Sequence, residues 1–417
     1  MSGVPKRVWI ICQHAGAPRY GMNYRPYNLG RELLAIGVDV TVIGSPFSHQ
    51  FFAQPKLDGL YTIEDVDGMR YCWIRTADYA ESQSKARILA WWDFSRGLAP
   101  LYRRAASLGI PVPDAIVVSS PPPYAILPAA RLARKFGARL VFEVRDLWPL
   151  SLISLGGHSP FHPFIAFTQW VENFAYTRSD AVVSVPPAAE LYMRKHGLAT
   201  GKFHHIPNGV NMARESLEST EPASEIVHHA LPGRRFIVGY SGTVGLANAL
   251  SCFVEAAGLL KQHSEIGFAI IGDGAEVPAL KALAESRKLD NIAFIPAVPK
   301  TKIPSVLAEL DVCFLSLKRE EVFRYGVSPT KLFDYLLSAK PVIMAIDSVN
   351  DIVGAAACGI TVEPENPTAI AEAVLSLARR EPEERNAMGQ AGKKYVMEHH
   401  EWRRLGKAYA KVLGVDR

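Results

Sequence analysis

The chain has 417 residues, 48% of them apolar and 21% charged, a balance that excludes a disordered or fibrous protein and indicates soluble globular domains. Its length exceeds one ordinary core, so about two domains of roughly 200 residues are expected. The net charge is +5, with residues 1–200 carrying 21 Lys and Arg against 15 Asp and Glu; no dense basic stripe accompanies this excess, which argues against nucleic acid and suits phosphorylated lipid or an anionic membrane surface.

A short apolar strand is expected at 7–12, then a polar, glycine-containing loop at 13–24, a helix over 26–36 stopped by Gly37, and a strand at 38–43. The rhythm continues with strands at 115–119, 140–144, 181–184 and 203–206, and with helices between them such as 125–136 and 164–176. Short apolar strands separated by helices specify a parallel sheet covered on both faces. At 216–230 the pattern lapses into Ser, Glu, Pro and His, as a hinge would. A second series follows at 236–241, 266–271, 292–295, 312–315, 342–345 and 360–362, and the chain from 367 onward is mostly helical. The expected organisation is a first domain at 1–212, a linker at 213–233, a second domain at 234–395, and a final helix at 396–417 packing back on the first domain. Two doubly wound α/β domains in tandem predict a ligand cleft facing their strand carboxyl ends.

Cys12, Cys72, Cys252, Cys313 and Cys358 are odd in number, scattered and without metal-ligand spacing. They read as reduced core thiols of a cytoplasmic protein. No signal-peptide pattern follows Lys6-Arg7. The long uncharged stretches at 115–130 and 147–171 are broken by Pro and Gly, so neither is expected to span a membrane.

The most informative segment runs Tyr-Gly-Val-Ser-Pro-Thr-Lys-Leu-Phe-Asp-Tyr from Tyr325 to Tyr335. Ser328 fits an N-cap and Pro329 the first helical position. The helix start favours an anion, and Lys331 adds a full charge within its first turn. Asp334, three residues on, can accept hydrogen bonds from sugar hydroxyls. A nucleoside diphosphate would suit this arrangement; a capped core helix with a solvated Lys is the alternative. Ahead of it, Val238-Gly-Tyr-Ser-Gly-Thr-Val-Gly-Leu-Ala-Asn248 is a glycine-rich turn after a strand, which lets backbone approach a phosphate or sugar. It is neither a clean GxGxxG fingerprint nor a P-loop. Ile206-Pro-Asn-Gly209 and Ile271-Gly-Asp-Gly274 are strand-end turns.

The order of these motifs resembles the GT-B glycosyltransferases, specifically glycosyltransferase family 4, over nearly the whole chain. In the first domain, Tyr20-Gly-Met-Asn-Tyr-Arg-Pro-Tyr27 and Glu143-Val-Arg-Asp-Leu-Trp-Pro149 are similar to bacterial polysaccharide-cluster members, including proteins named as N-acetylfucosamine transferases. The resemblance implies two Rossmann-like domains with a cleft between them, C-terminal helices, and retaining transfer from a nucleotide sugar, most simply UDP-linked, without an essential metal or other cofactor. The acceptor would be polyprenyl-linked or a growing polysaccharide. Donor contacts are then expected at Ser241, Gly242, Gly245, Asn248, Gly272, Gly274, Arg324, Gly326, Val327, Ser328, Lys331, Leu332 and Asp334, and acceptor contacts at His14, Arg19, Gly21 and Arg25. Arg145, Asp146 and Lys331 are the candidates for the chemistry.

The sequence departs from the family pattern in three places. The first carboxylate of the usual Glu-x7-Glu pair is Gly326. Asn248 replaces a basic residue after the glycine turn, leaving phosphate binding to Lys331 and to Arg319 or Arg324. Arg145 stands where relatives carry His; as Arg stays protonated, it would hold a phosphate and not act as a base. Asp146 can alternatively cap a turn, and Arg19 and Arg25 can be plain surface charges. A UDP-sugar 2-epimerase of the same fold and a non-catalytic nucleotide-sugar scaffold remain as other readings. Peripheral membrane contact is expected through Arg87, Trp91, Trp92, Arg96, Arg103 and Arg104, with a buried domain helix as the alternative.

Overall fold

The computed structural model describes residues 7–21, 24–48, 51–79, 84–211 and 225–416, and the chain divides into two compact units. Met1–Asn208 with Trp402–Arg417 form the first, and Gly209–Glu401 the second. Met22 and Asn23 of the first-domain motif lie outside the described residues, as does most of the expected linker, at 212–224.

The first unit holds β1 (Arg7–Ile11), β2 (Asp39–Gly44), β3 (Tyr61–Val66), β4 (Met69–Ile74), β5 (Ala115–Ser120), β6 (Arg139–Val144), β7 (Ala181–Ser184) and β8 (Phe203–His205). They form one sheet in the order β3-β4-β2-β1-β5-β6-β7-β8. All neighbours are parallel except the β3–β4 pair. The central strands are buried along almost their whole length, as expected for a sheet with helices on both faces. The β3–β4 hairpin, ahead of β5, is not among the strands expected from sequence. Its signal was present: Asp67 and Gly68, both at positive φ, form the two-residue turn that a tight hairpin requires.

Helix Trp402–Leu413 belongs to this unit and packs on helix Arg25–Ala35. Gly406 permits the approach, because a Cβ there would lie 2.4 Å from Cβ of Glu32. Trp402, Leu405, Tyr409 and Leu413 join the same core as Leu29 and Leu33. The helix expected from 396 instead starts at Trp402, since residues up to His400 continue helix Pro382–His400 of the second unit.

The second unit holds β9 (Phe236–Ser241), β10 (Ile266–Ile271), β11 (Ile292–Ile295), β12 (Val312–Ser316), β13 (Val342–Ala345) and β14 (Gly359–Val362). All are parallel, in the order β11-β10-β9-β12-β13-β14. The order reverses between β9 and β12, so the loop after β9 lies at the topological switch point where doubly wound sheets bind ligands. Residues 225–233, expected as linker, are part of this unit. Helix Ile226–Ala230 buries Val227, and the Glu309 carboxylate accepts from the Val227 and His228 N–H groups at 2.9 and 3.0 Å.

All five cysteines are buried free thiols, and burial pushes the Cys72, Cys252, Cys313 and Cys358 thiols up to about 12. No helix among the described residues is long and apolar enough to cross a membrane.

Candidate functional site

In the second unit, the turn after β9 and the start of helix Thr330–Leu337 meet. Tyr335, inside that helix, locks the strand end: its hydroxyl donates to the Ser241 carbonyl at 2.9 Å and accepts from the Ser241 N–H at 2.8 Å. Gly242 follows at φ +142, and a Cβ on it would lie 3.2 Å from both Cε and Nζ of Lys331. Lys331 therefore sits directly against the glycine turn. Its ammonium donates to the Tyr240 hydroxyl and, at 3.1 Å, to Asn248 Oδ1, and lies 4.3 Å from the centre of the Tyr240 ring. Both hydrogen-bond partners are neutral. Burial pushes this amine down to about 8, because desolvation disfavours the charged form.

The partners are themselves fixed. Tyr240 donates to the Thr243 carbonyl at 2.6 Å, and Asn248 Nδ2 donates to the same carbonyl at 3.0 Å. Gly245 is extended at φ −120 and leads into the short turn Leu246–Asn248. A half-exposed glycine backbone, a half-buried ammonium and the N-terminal end of a helix meet here.

The expected cap shifts by one residue. Pro329 is the N-cap and Thr330 the first helical residue, with no side-chain cap hydrogen bond. Val327 is held in the core, and its N–H and carbonyl both bond the Asn350 amide at 2.8 and 2.7 Å. Leu332 is fully buried, so the side chains of both pack in the core and set the helix. Gly326 provides the sharp turn ahead of them at φ +109; Ser328 is half-buried.

Gly272 and Gly274 have a structural requirement of their own. A Cβ on Gly272 would lie 2.0 Å from the Gly242 carbonyl oxygen, and one on Gly274 2.0 Å from that of Val244. The two strand-end turns thus pack backbone against backbone, joined by Gly242 N–H to Ile271 O and Val244 N–H to Asp273 O, each 2.9 Å.

The other expected cations are engaged by carboxylates. Arg324 pairs with Asp347 at 3.1 Å, and Arg319 pairs with Glu363. Asp334 is held by Lys300, whose ammonium lies 2.6 and 2.7 Å from its two oxygens. A sugar hydroxyl at Asp334 would share that carboxylate with Lys300. Sequence reasoning missed Lys300, which no local pattern marks, and Tyr240, which stood inside the glycine motif.

In the first unit, the expected acceptor residues are engaged within the fold. Arg25 is buried: Nε donates to Glu143 Oε2 at 2.9 Å, Nη1 to the Pro207 carbonyl at 2.6 Å and to Asn208 Oδ1 at 3.2 Å, and Nη2 to the Ile206 carbonyl at 2.9 Å. It also lies over the Trp402 ring. Arg25 is therefore corrected from an acceptor contact to the residue that fastens the Ile-Pro-Asn-Gly turn and the last helix to β6. Glu143 also accepts from Ser119 at 2.8 Å and from Tyr409 at 3.0 Å. Burial alone would raise its pKa, but Arg25, Ser119 and Arg145 outweigh burial and hold it below the ordinary value.

Arg145 donates to the Ser120 carbonyl at 2.7 Å and is half-buried at the end of β6. Its guanidinium thus bonds the end of β5. Asp146 beside it is exposed. Arg19 pairs with Glu64 of β3 at 3.0 Å, and Glu64 also accepts from Tyr20 and, at 2.8 Å, from Trp73. This network ties the loop after β1 to the hairpin. Gly21 bridges Ala17 and Phe51 at φ +139, and His14 is buried after β1. Trp91 is buried too, with Arg87 stacked over it, so the expected interfacial helix packs inward along this face.

Two family models match the chain: "Glycosyl transferase 4-like domain" over residues 20–209 and "Glycosyl transferases group 1" over residues 224–395. Among curated proteins, the chain is 25% identical over 268 residues to WcaI of Escherichia coli K12, named for a colanic acid biosynthesis glycosyl transferase. That match covers 62% of this chain and 64% of the relative, just under two thirds of its length. Among solved structures, sucrose-phosphate synthase from Thermosynechococcus elongatus aligns with a TM-score of 0.72 at 17% identity, covering 97% of this chain and 98% of that one. HepE of Anabaena, in complex with UDP and glucose, aligns with a TM-score of 0.66 at 14% identity over 98% and 99%.

Proposed function

Because the chain belongs to the GT-B glycosyltransferases, with a 4-like domain ahead of a group 1 domain, we propose that it transfers a sugar from a UDP-sugar to a polyprenyl-linked or growing polysaccharide acceptor in cell-surface polysaccharide assembly. The observation that carries this reading is the half-buried ammonium of Lys331, held by neutral groups against the glycine turn at Gly242. A nucleoside diphosphate supplies the counter-charge that this ammonium lacks. The relative named for colanic acid biosynthesis and the UDP-bound neighbour support the polysaccharide and UDP parts of the reading.

In this reading Lys331 and the helix N-terminus stabilise the leaving diphosphate, which is electrostatic catalysis with a preorganised cation. Asp334 takes the nucleotide ribose, exchanging its bond to Lys300 for the sugar hydroxyls. Exposed Asp146 orients the acceptor hydroxyl. Transfer proceeds with retention, the leaving phosphate helping to accept the acceptor proton, and requires no metal. The protein works as a peripheral protein at the membrane face that carries its acceptor.

The test is nucleoside diphosphate release from UDP-, GDP- and dTDP-sugars, with and without a polyprenyl-diphosphate sugar acceptor, in the presence and absence of EDTA. Acceptor-dependent UDP release that survives EDTA, with a product of retained anomeric configuration by NMR, is expected. Donor isomerisation without acceptor would assign a 2-epimerase instead, and donor binding with no turnover would assign a scaffold.

A further inference from the structure

Helix Pro163–Arg178 of the first unit carries an aromatic strip that the site does not use. Phe164, Phe167, Trp170 and Phe174 recur at helical spacing, and Phe161 precedes them at the helix entrance. Phe161 is 90% exposed and Trp170 54%. The rings touch in series: Phe167 to Trp170 at 5.8 Å and Trp170 to Phe174 at 6.0 Å between centroids. Helix Lys85–Leu98 extends the surface, because Trp92 meets Phe167 at 5.7 Å and Leu89, one turn before Trp92, is 59% exposed.

Exposed cations flank this surface. Lys85, Arg96 and Arg178 are exposed, and Arg178 lies over the Phe174 ring at 5.9 Å. Arg96 is one turn beyond Trp92. Three carboxylates lie nearby in the chain, half-buried Asp93, exposed Asp180 and buried Glu172. Asp93 accepts from the Ala77 N–H, and Asp180 accepts from the Leu140 N–H.

Exposed large apolar side chains, Phe161, Trp170 and Leu89, beside half-buried rings mark an interaction surface. Trp and Phe with flanking Arg match the interfacial zone of a bilayer: rings enter the headgroup layer while guanidinium groups meet lipid phosphates. We infer that Phe161, Trp170, Leu89 and Trp92, with Arg96 and Arg178, form a docking surface for an anionic lipid membrane. It keeps Trp92 and Arg96 of the segment expected from sequence and leaves out Trp91, which is buried. It deepens the membrane side of the proposed function and is tested without donor or acceptor, so failure of the transferase reading leaves the result untouched.

The experiment is cosedimentation of the full chain with vesicles of phosphatidylcholine alone or with about a third phosphatidylglycerol, at low and high salt. Wild type is expected to bind the anionic vesicles, more weakly at high salt. The Phe161→Ser/Trp170→Ser protein should bind at least tenfold more weakly with unchanged circular dichroism, and Phe161→Leu/Trp170→Leu should retain most of the binding. Arg96→Ser/Arg178→Ser should lose the salt-sensitive part. Absence of wild-type binding, or equal binding by the folded double-Ser variant, overturns the inference. So does a double-Ser variant that converts a dimer to a monomer in sedimentation while binding vesicles as wild type does, which would assign the surface to a second copy of the chain.

Discussion

Lys331 makes nucleotide affinity depend on pH in a calculable way. Its ammonium is half-buried against Tyr240 and Asn248, and its pKa is lowered to about 8. A bound diphosphate restores a full counter-charge and raises that pKa again, so binding takes up a proton wherever the free protein is deprotonated. At pH 7 about nine tenths of the free protein carries the charged form, and at pH 9 about one tenth. Apparent affinity falls in proportion to the competent fraction, so UDP should bind about tenfold more weakly at pH 9 than at pH 7, or about 1.4 kcal/mol. UDP itself changes little over this interval, because its last phosphate proton leaves near pH 6. Calorimetric titration of UDP at pH 7, 8 and 9, repeated in buffers of different ionisation enthalpy, measures both the slope and the proton uptake. Lys331→Met should bind more weakly at pH 7 and show no slope. A flat wild-type profile, or the same slope in Lys331→Met, refutes the assignment.

Arg25→Met leaves Glu143 buried without its cation and should destabilise the first unit by about 3–5 kcal/mol. Urea unfolding followed by tryptophan fluorescence reads this, and adding Glu143→Gln should recover most of the loss. Glu172 is buried and accepts from Gln169 and Tyr192, each at 3.2 Å, and burial pushes it up to about 8. In the unfolded chain it titrates near about 4.3, so the folded state holds the extra proton between these values. The contribution of this group therefore falls as pH rises from about 5 to about 8 and levels off above that. Glu172→Gln should match wild type in stability at acid pH and exceed it by a few kcal/mol at pH 8, as read from thermal midpoints across pH.

What the sequence revealed was local. The β9 turn, the helix after Pro329 and the alternation of strands and helices depend on residues close together in the chain, and propensity and periodicity report them well. Lys331 was legible for that reason: its place in a first turn is set by its immediate neighbours. Its dependence on Tyr240 and Asn248, 91 and 83 residues away, was not. Arg25 was misread because its burial is imposed by Glu143, by the turn at 206–208 and by the last helix, all distant. The partner of Asp334 was not legible, because Lys300 reaches it from 34 residues away. The β3–β4 hairpin was a local miss, and its Asp-Gly turn was sufficient to find it. The aromatic strip at 161–174 was overlooked because uncharged residues read as core until packing shows which of them remain outside.

The return of the chain at Trp402 sets an order of assembly. The core of the first unit is completed by Trp402, Leu405, Tyr409 and Leu413, which are synthesised only after every residue of the second unit. A nascent chain ending at Glu401 exposes the apolar face that this helix will cover, and Glu143 waits without Tyr409. The first unit to begin is therefore the last to finish. Until the final turn of helix leaves the ribosome, its unclosed core is the part of the molecule most dependent on protection from aggregation.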